Sequence, residues 1–171
     1  MPSAPAPTAT GSPAPEHYTA VSDDTGTLTA ELPSRWSDID GAPYTDEAGA
    51  EFAALAASSD LDTFFSVWVE AGVELRAAGE SGRYSPEDLL HSAAIDADQY
   101  CTLRESGDYD QDGLSGQYAY YTDCGPSASR FAVVVGAKDG WREPVSFSAV
   151  LVTEQDAVDW TRVLATASLA G

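Results

Sequence analysis

The sequence predicts an α+β domain in which an antiparallel β-sheet is layered with flanking helices. Two observations carry that expectation. The segments "DQYCTLRES", "GQYAYYTDC", "RFAVVVGAK" and "VSFSAVLVT" are rich in β-branched and aromatic residues, and only short polar or glycine breaks separate them. Consecutive strands joined so briefly pair antiparallel, because a parallel neighbour requires a long crossover. Three other segments begin with helix-capping chemistry, so helices are interspersed among the strands. With 171 residues and no detectable internal repeat, the chain suits a single core.

The opening "MPSAPAPTATGSPAPE", residues 1–16, offers almost nothing to bury and reads as an extended linker, leaving residues 17–169 for the domain. It lacks the basic start and apolar stretch of a signal peptide. "YTAVSDD" and "TLTAELP" then read as a β-hairpin turned by "DDTG", with Pro33 ending the second strand. "SRWSDIDGAP" reads as a polar loop whose Trp36 folds back onto the core, since an indole is costly to leave wet.

"AEFAALAASS" has helix-favouring alanines, but its place between a glycine-rich loop and a helix start favours a strand. "SDLDTFFSVWVEAG" reads as a short amphipathic helix capped by Ser59 and ended by Gly72, with Leu61, Phe64, Phe65 and Trp68 on one face. "VELRAAG" alternates like a strand. "SPEDLLHSAAI" repeats the helix-start chemistry, with Ser85 as cap, Pro86 at the first helical position, and Glu87 and Asp88 in the first turn. After the four strands, "TEQDAVDWTRVLATASL" reads as the longest helix. Thr153 and Asp156 form a capping-box pair there, and Val158, Trp160, Val163, Leu164 and Leu169 supply the buried side.

Charge excludes several functions. Acidic residues number 28 against 8 basic ones, for a formal net charge of -20, and Lys138 is the only lysine. Such a surface repels phosphate backbones and anionic headgroups, so no nucleic-acid partner is expected. No apolar run approaches the roughly 20 residues that cross a bilayer, so no membrane insertion by this segment is expected either. Cationic partners and divalent ions remain compatible with the charge.

Cys101 and Cys124 each sit near the end of a strand-like stretch, and their even count fits a bridge across the acidic segment between them. Two buried free thiols are the alternative; a structural zinc site would need both His17 and His91 as further ligands. A bridge implies an oxidising, extracytoplasmic compartment.

The segment "SGDYDQDGLSG" raises the question of calcium. Asp108, Asp110, Asp112 and Gly113 match the first, third, fifth and sixth positions of an EF-hand loop. The match then stops, because position twelve is Ala119 instead of a bidentate glutamate and the flanks read as strands. The choice lies between weak calcium binding at the three aspartates and a solvated acidic loop, with no other cofactor expected. In "QYAYYTD", alternation puts Tyr118 and Tyr120 on one face of a strand and Tyr121 on the other. Exposed tyrosines are effective contact groups, so these three form a possible binding surface as well as ordinary sheet packing.

Catalytic machinery is not evident. A nucleophile needs a base in reach, yet His17 sits beside the linker and His91 lies among polar residues; "GLSG" around Ser115 is no nucleophile elbow. No phosphate-binding loop is present.

The order of features resembles a known family. "YTAVSDDTGTLTAELPSRWSDIDG", then "ASSDLDTFFSVWVEAGV", then Leu89 and Leu90, then Cys101, Tyr109 and Cys124, resembles extracytoplasmic domains of the PsbP-like (Mog/PsbP) fold. In high-GC bacteria similar domains follow a Pro-rich linker on secreted or membrane-anchored proteins, including trypsin-like proteases and receptor kinases. The resemblance covers residues 17–169 and rests on structural motifs. It implies an αβα layered sandwich without a shared active site. The expectation is therefore a non-catalytic, secreted or cell-surface recognition or scaffolding domain, accessory to a larger exported protein and contacting an attached or partner protein. The alternatives are a weak calcium-binding module and a small hydrolase using scattered carboxylates.

Overall fold

The computed structural model describes residues 16–66, 68–80 and 84–170. Apart from Glu16, the stretch read as a linker lies outside the described residues. The expected α+β class is found, with eleven strands and three helices among the described residues and every strand pairing antiparallel.

The first hairpin forms as expected, with β1 (Tyr18–Ser22) against β2 (Leu28–Pro33). The "polar loop" that follows contains the short strand β3 (Asp38–Asp40), and β4 (Tyr44–Thr45) begins just past it; both are laid on β5 (Glu51–Ser58). Their side chains are largely exposed and carry no alternation, so the free edge of β5 recruits them rather than any local pattern. Trp36 in the same segment is buried as anticipated.

Helix α1 (Leu61–Ser66) is shorter than its sequence suggests, and its start is set by Asp60, whose carboxylate accepts from the Thr63 amide at 3.2 Å. Ser59, the expected cap, instead donates its hydroxyl to Glu70. Over so few residues only a narrow stripe faces inward, and Phe65, adjacent to the inward Phe64, is 58% exposed. Next, β6 (Gly72–Ala78) pairs with β5.

Helix α2 (Pro86–Tyr100) starts at the expected capping box between Ser85 and Asp88. It then absorbs "DQY", read from sequence as the start of a strand, and at 15 residues is longer than α3 (Glu154–Thr166) at 13, contrary to expectation. Four long strands follow the expected order: β7 (Thr102–Gln111), β8 (Leu114–Cys124), β9 (Ser129–Lys138) and β10 (Val145–Leu151). α3 begins at the predicted capping box of Thr153 and Asp156, but Val158 is 57% exposed and Leu169 belongs to the small strand β11 (Ser168–Leu169).

The large sheet has the order β3-β5-β6-β10-β9-β8-β7, with β4 also on β5. The smaller sheet has the order β1-β2-β11. Strand alternation splits the apolar residues into two clusters on opposite faces. On one face Leu75, Val134, Val145 and Phe147 pack with β2 and with Trp160 and Val163 of α3. On the other, Phe131, Val133 and Val135 pack under Leu89, Ala94 and Ala97 of α2.

Candidate functional site

The acidic segment is a hairpin, not a calcium-type loop. β7 continues through Asp108 and Asp110 to Gln111, which pairs with Leu114. Only Asp112 and Gly113 turn the chain, at φ 57° and 70°. An Asp-Gly pair with both residues left-handed is the tightest turn compatible with strand twist, which is what this dipeptide encodes here. Asp110 accepts a hydrogen bond from Ser115 at 3.0 Å, and the turn carbonyl of Asp112 receives the ammonium of Lys138. The extended backbone spreads the three aspartates along the strand instead of curling them about a centre. Among the described residues no group of three or more His, Cys, Asp or Glu side chains is gathered to hold a metal.

Cys101 caps the end of α2, Cys124 ends β8, and the two stand at disulfide-bonding distance with Cα atoms 4.3 Å apart. The bridge therefore closes the base of the whole β7–β8 hairpin. β7 is an edge strand exposed along nearly its full length, and β8 is its one neighbour in the sheet.

The tyrosines divide as alternation requires. Tyr121 points beneath α2, is 4% exposed and donates its hydroxyl to Asp98 at 2.7 Å, so it packs the core and is unavailable as a contact surface. Burial first, and then this bond to a carboxylate, push its pKa up to about 12. Sequence alone could not show that α2 covers it.

Tyr118 and Tyr120 face the other way, together with Glu105, Gly107 and Tyr109 of the neighbouring strand. Tyr118 lies over Gly107, where an added Cβ would stand 3.3 Å from its ring, and its hydroxyl donates to Glu105 at 2.5 Å. That bond raises its pKa. Tyr109 is also raised, mainly by burial and further by Asp112.

Helix α3 packs against β2 and β10 and stops short of the hairpin. The uncovered part of the sheet face becomes a trough of about 580 Å³ between β7–β9 and α3. Its walls are Tyr109, Tyr118 and Tyr120 on one side and Trp160 on the other, with Glu105 on the rim and the strand edge at Asp108. Trp160 and Leu164, read from the sequence only as core residues, thus also form a trough wall.

No protein-family model matches the chain, and neither a curated protein nor a solved structure is significantly similar to it. The site must be judged by its own chemistry.

That chemistry is aromatic and acidic. Half-covered rings offer π-faces to a cation or a planar group, and Glu105 adds a carboxylate. Arg130 reaches the trough's edge, where its guanidinium donates to the Tyr120 hydroxyl at 3.5 Å, but it is also held by Glu154 at 3.2 Å and the Thr153 carbonyl at 2.9 Å. The candidate histidines contribute nothing to this trough: His17 and His91 are exposed elsewhere, and His91 lies on α2 across the sheet.

Proposed function

We propose that this is a non-catalytic recognition domain of an exported protein, and that its trough beside α3 holds an extended basic segment of a protein partner. The observation that carries the reading is the set of three half-buried tyrosines, Tyr109, Tyr118 and Tyr120, left facing the buried Trp160 where α3 ends its contact with the sheet. An aromatic wall with an acidic rim favours arginine and lysine side chains through cation–π and charge attraction, and the molecule's net charge of -20 would steer such a partner inward. The paired cysteines support an extracytoplasmic location, and the alternation of antiparallel strands and flanking helices supports the PsbP-like layering that the sequence resembles.

Isothermal titration with a disordered arginine- and lysine-rich peptide tests the reading. Binding should weaken as salt rises. Tyr120→Ala should weaken it about tenfold, as loss of an aromatic anchor does. Glu105→Gln, which leaves the strands intact, should flatten the salt dependence. A peptide that binds equally well to wild type and both variants would reject the trough. Adding calcium in the same calorimeter separates the ion-binding alternative, which predicts heat at millimolar calcium without any peptide.

A further inference from the structure

We infer that a second cleft, on the α2 face of the large sheet, binds a small neutral polyhydroxylated ligand of the size and chemistry of a single sugar ring. The inference goes beyond the proposed peptide site and is independent of it, since the two cavities lie on opposite faces. It begins with an anomaly in the two central strands β6 and β10. Their residues facing α3 are apolar, and Val73, Leu75, Val145 and Phe147 are all 0% exposed. The residues facing α2 are instead Glu74 and Arg76, set directly opposite Ser148 and Ser146. A polar square thus occupies the middle of a sheet, where apolar packing is the rule.

The helices leave this square uncovered. α1 packs on β5 while α2 packs on β8, β9 and β10, and between them the floor opens into a cleft of about 330 Å³. That volume lies at the small end of ligand pockets, which begin at roughly 300 Å³. Ser146 is only 5% exposed as a residue and lines the cleft. Its hydroxyl can both donate to and accept from a ligand group seated there.

The electrostatics select a neutral occupant. Glu74 and Arg76 are joined as an ion pair, and the Arg76 guanidinium also sits 4.8 Å from the centre of the Tyr44 ring and donates to its hydroxyl at 3.1 Å. An anion would face Glu74 and Asp96 on the lining, whereas a cation would face Arg76. Hydroxyl groups suit such a floor because each both donates and accepts, matching carboxylate, guanidinium and serine in turn. The walls complete the match. Phe65 and Tyr100 stand 58% and 56% exposed at the rim, and Trp68 is fixed 5.5 Å from Phe131 in an edge-to-face contact. Flat aromatic faces beside a hydrogen-bonding floor accommodate a ring whose C–H face is apolar and whose edge is hydroxylated.

Amide and indole NMR shifts, followed while glucose, galactose and N-acetylglucosamine are titrated separately, test this. At least one sugar should produce saturable shifts confined to β6, β10, α2 and the Trp68 indole. Ser146→Ala should weaken that sugar about fivefold, the worth of one hydrogen bond. Phe65→Ser, which alters an exposed side chain and spares the core, should weaken it as well, while Tyr120→Ala in the distant trough should leave it unchanged. Absence of cleft shifts with all three sugars would overturn the inference. So would benzyl alcohol competing as well as the best sugar with Ser146→Ala having no effect, because the cleft would then be a non-selective apolar pocket.

Discussion

Tyr18 donates its hydroxyl to Asp159 at 2.6 Å, and Asp159 is completely buried between that hydroxyl, Gln155 at 3.0 Å and the guanidinium of Arg35. Burial and then this bond push Tyr18 from the ordinary 10.0 up to about 12. A raised folded-state pKa contributes stability that is complete below the unfolded value and lost as pH rises through the folded one. Alkaline unfolding should therefore deepen between pH 10 and about 12, and tyrosinate absorbance should show Tyr18 and Tyr121 ionising last. The acid side has the opposite sign. Burial works to raise the pKa of Asp156, yet the Thr153 and Val152 amides and Arg35 outweigh it and hold the group below 3.8. Its contribution is thus complete above 3.8 and disappears as pH falls through the lower folded value. Arg35→Ala leaves Asp159 buried without its cation and should cost about 3 kcal/mol in urea unfolding. A loss under 1 kcal/mol would mean that water reaches the site. Little of this cluster was legible in the sequence, because Tyr18, Arg35 and Asp159 meet only after a hairpin docks on a helix more than a hundred residues later. By contrast, the facing of Tyr118 and Tyr120 followed directly from strand alternation.

At the scale of elements, local chemistry placed most boundaries. Both capping boxes, the opening hairpin and the four long strands were readable because caps, turns and alternation are encoded within a few residues. What failed was whatever a distant neighbour decides: the strands recruited by the edge of β5, and the polar square formed when Arg76 pairs with Ser146. The acidic segment was ambiguous for a related reason, since one Asp-Gly pair serves both a calcium loop and a hairpin turn. The hairpin itself depends on two devices. The Cys101–Cys124 pair closes a separation of 23 residues, so replacing both with serine should cost about 3 kcal/mol on the chain-entropy account. Hydrogen exchange should show β7 amides losing protection before those of β10. If β7 and β10 lose protection together, the bridge is not what secures the edge. The second device is the cross-strand pair Gly116–Gly136, where a Cβ at position 136 would meet the Ser115 carbonyl oxygen at 2.1 Å. Backbone cannot yield that far, so Gly136→Ala should destabilise by roughly 3 kcal/mol and open the β8–β9 ladder.

For the molecule as a whole, the net charge of -20 acts in two directions. It repels itself, so added salt should raise the melting temperature; it also attracts basic partners, so the same salt should weaken their binding. Observing both trends in one buffer series would separate general screening from a site effect. No described helix is long and apolar enough to cross a membrane, and the paired cysteines are compatible with an extracellular setting. Under the proposed function, a basic partner is held in the aromatic trough between the disulfide-closed hairpin and α3. Titrating the isotope-labelled protein with a basic peptide and mapping the perturbed amides tests it most directly. The account predicts saturable shifts at Glu105, Tyr109, Tyr118, Tyr120 and the Trp160 indole, with the α2 face silent. Shifts spread evenly over the acidic surface, or gathered anywhere but this trough, would contradict it.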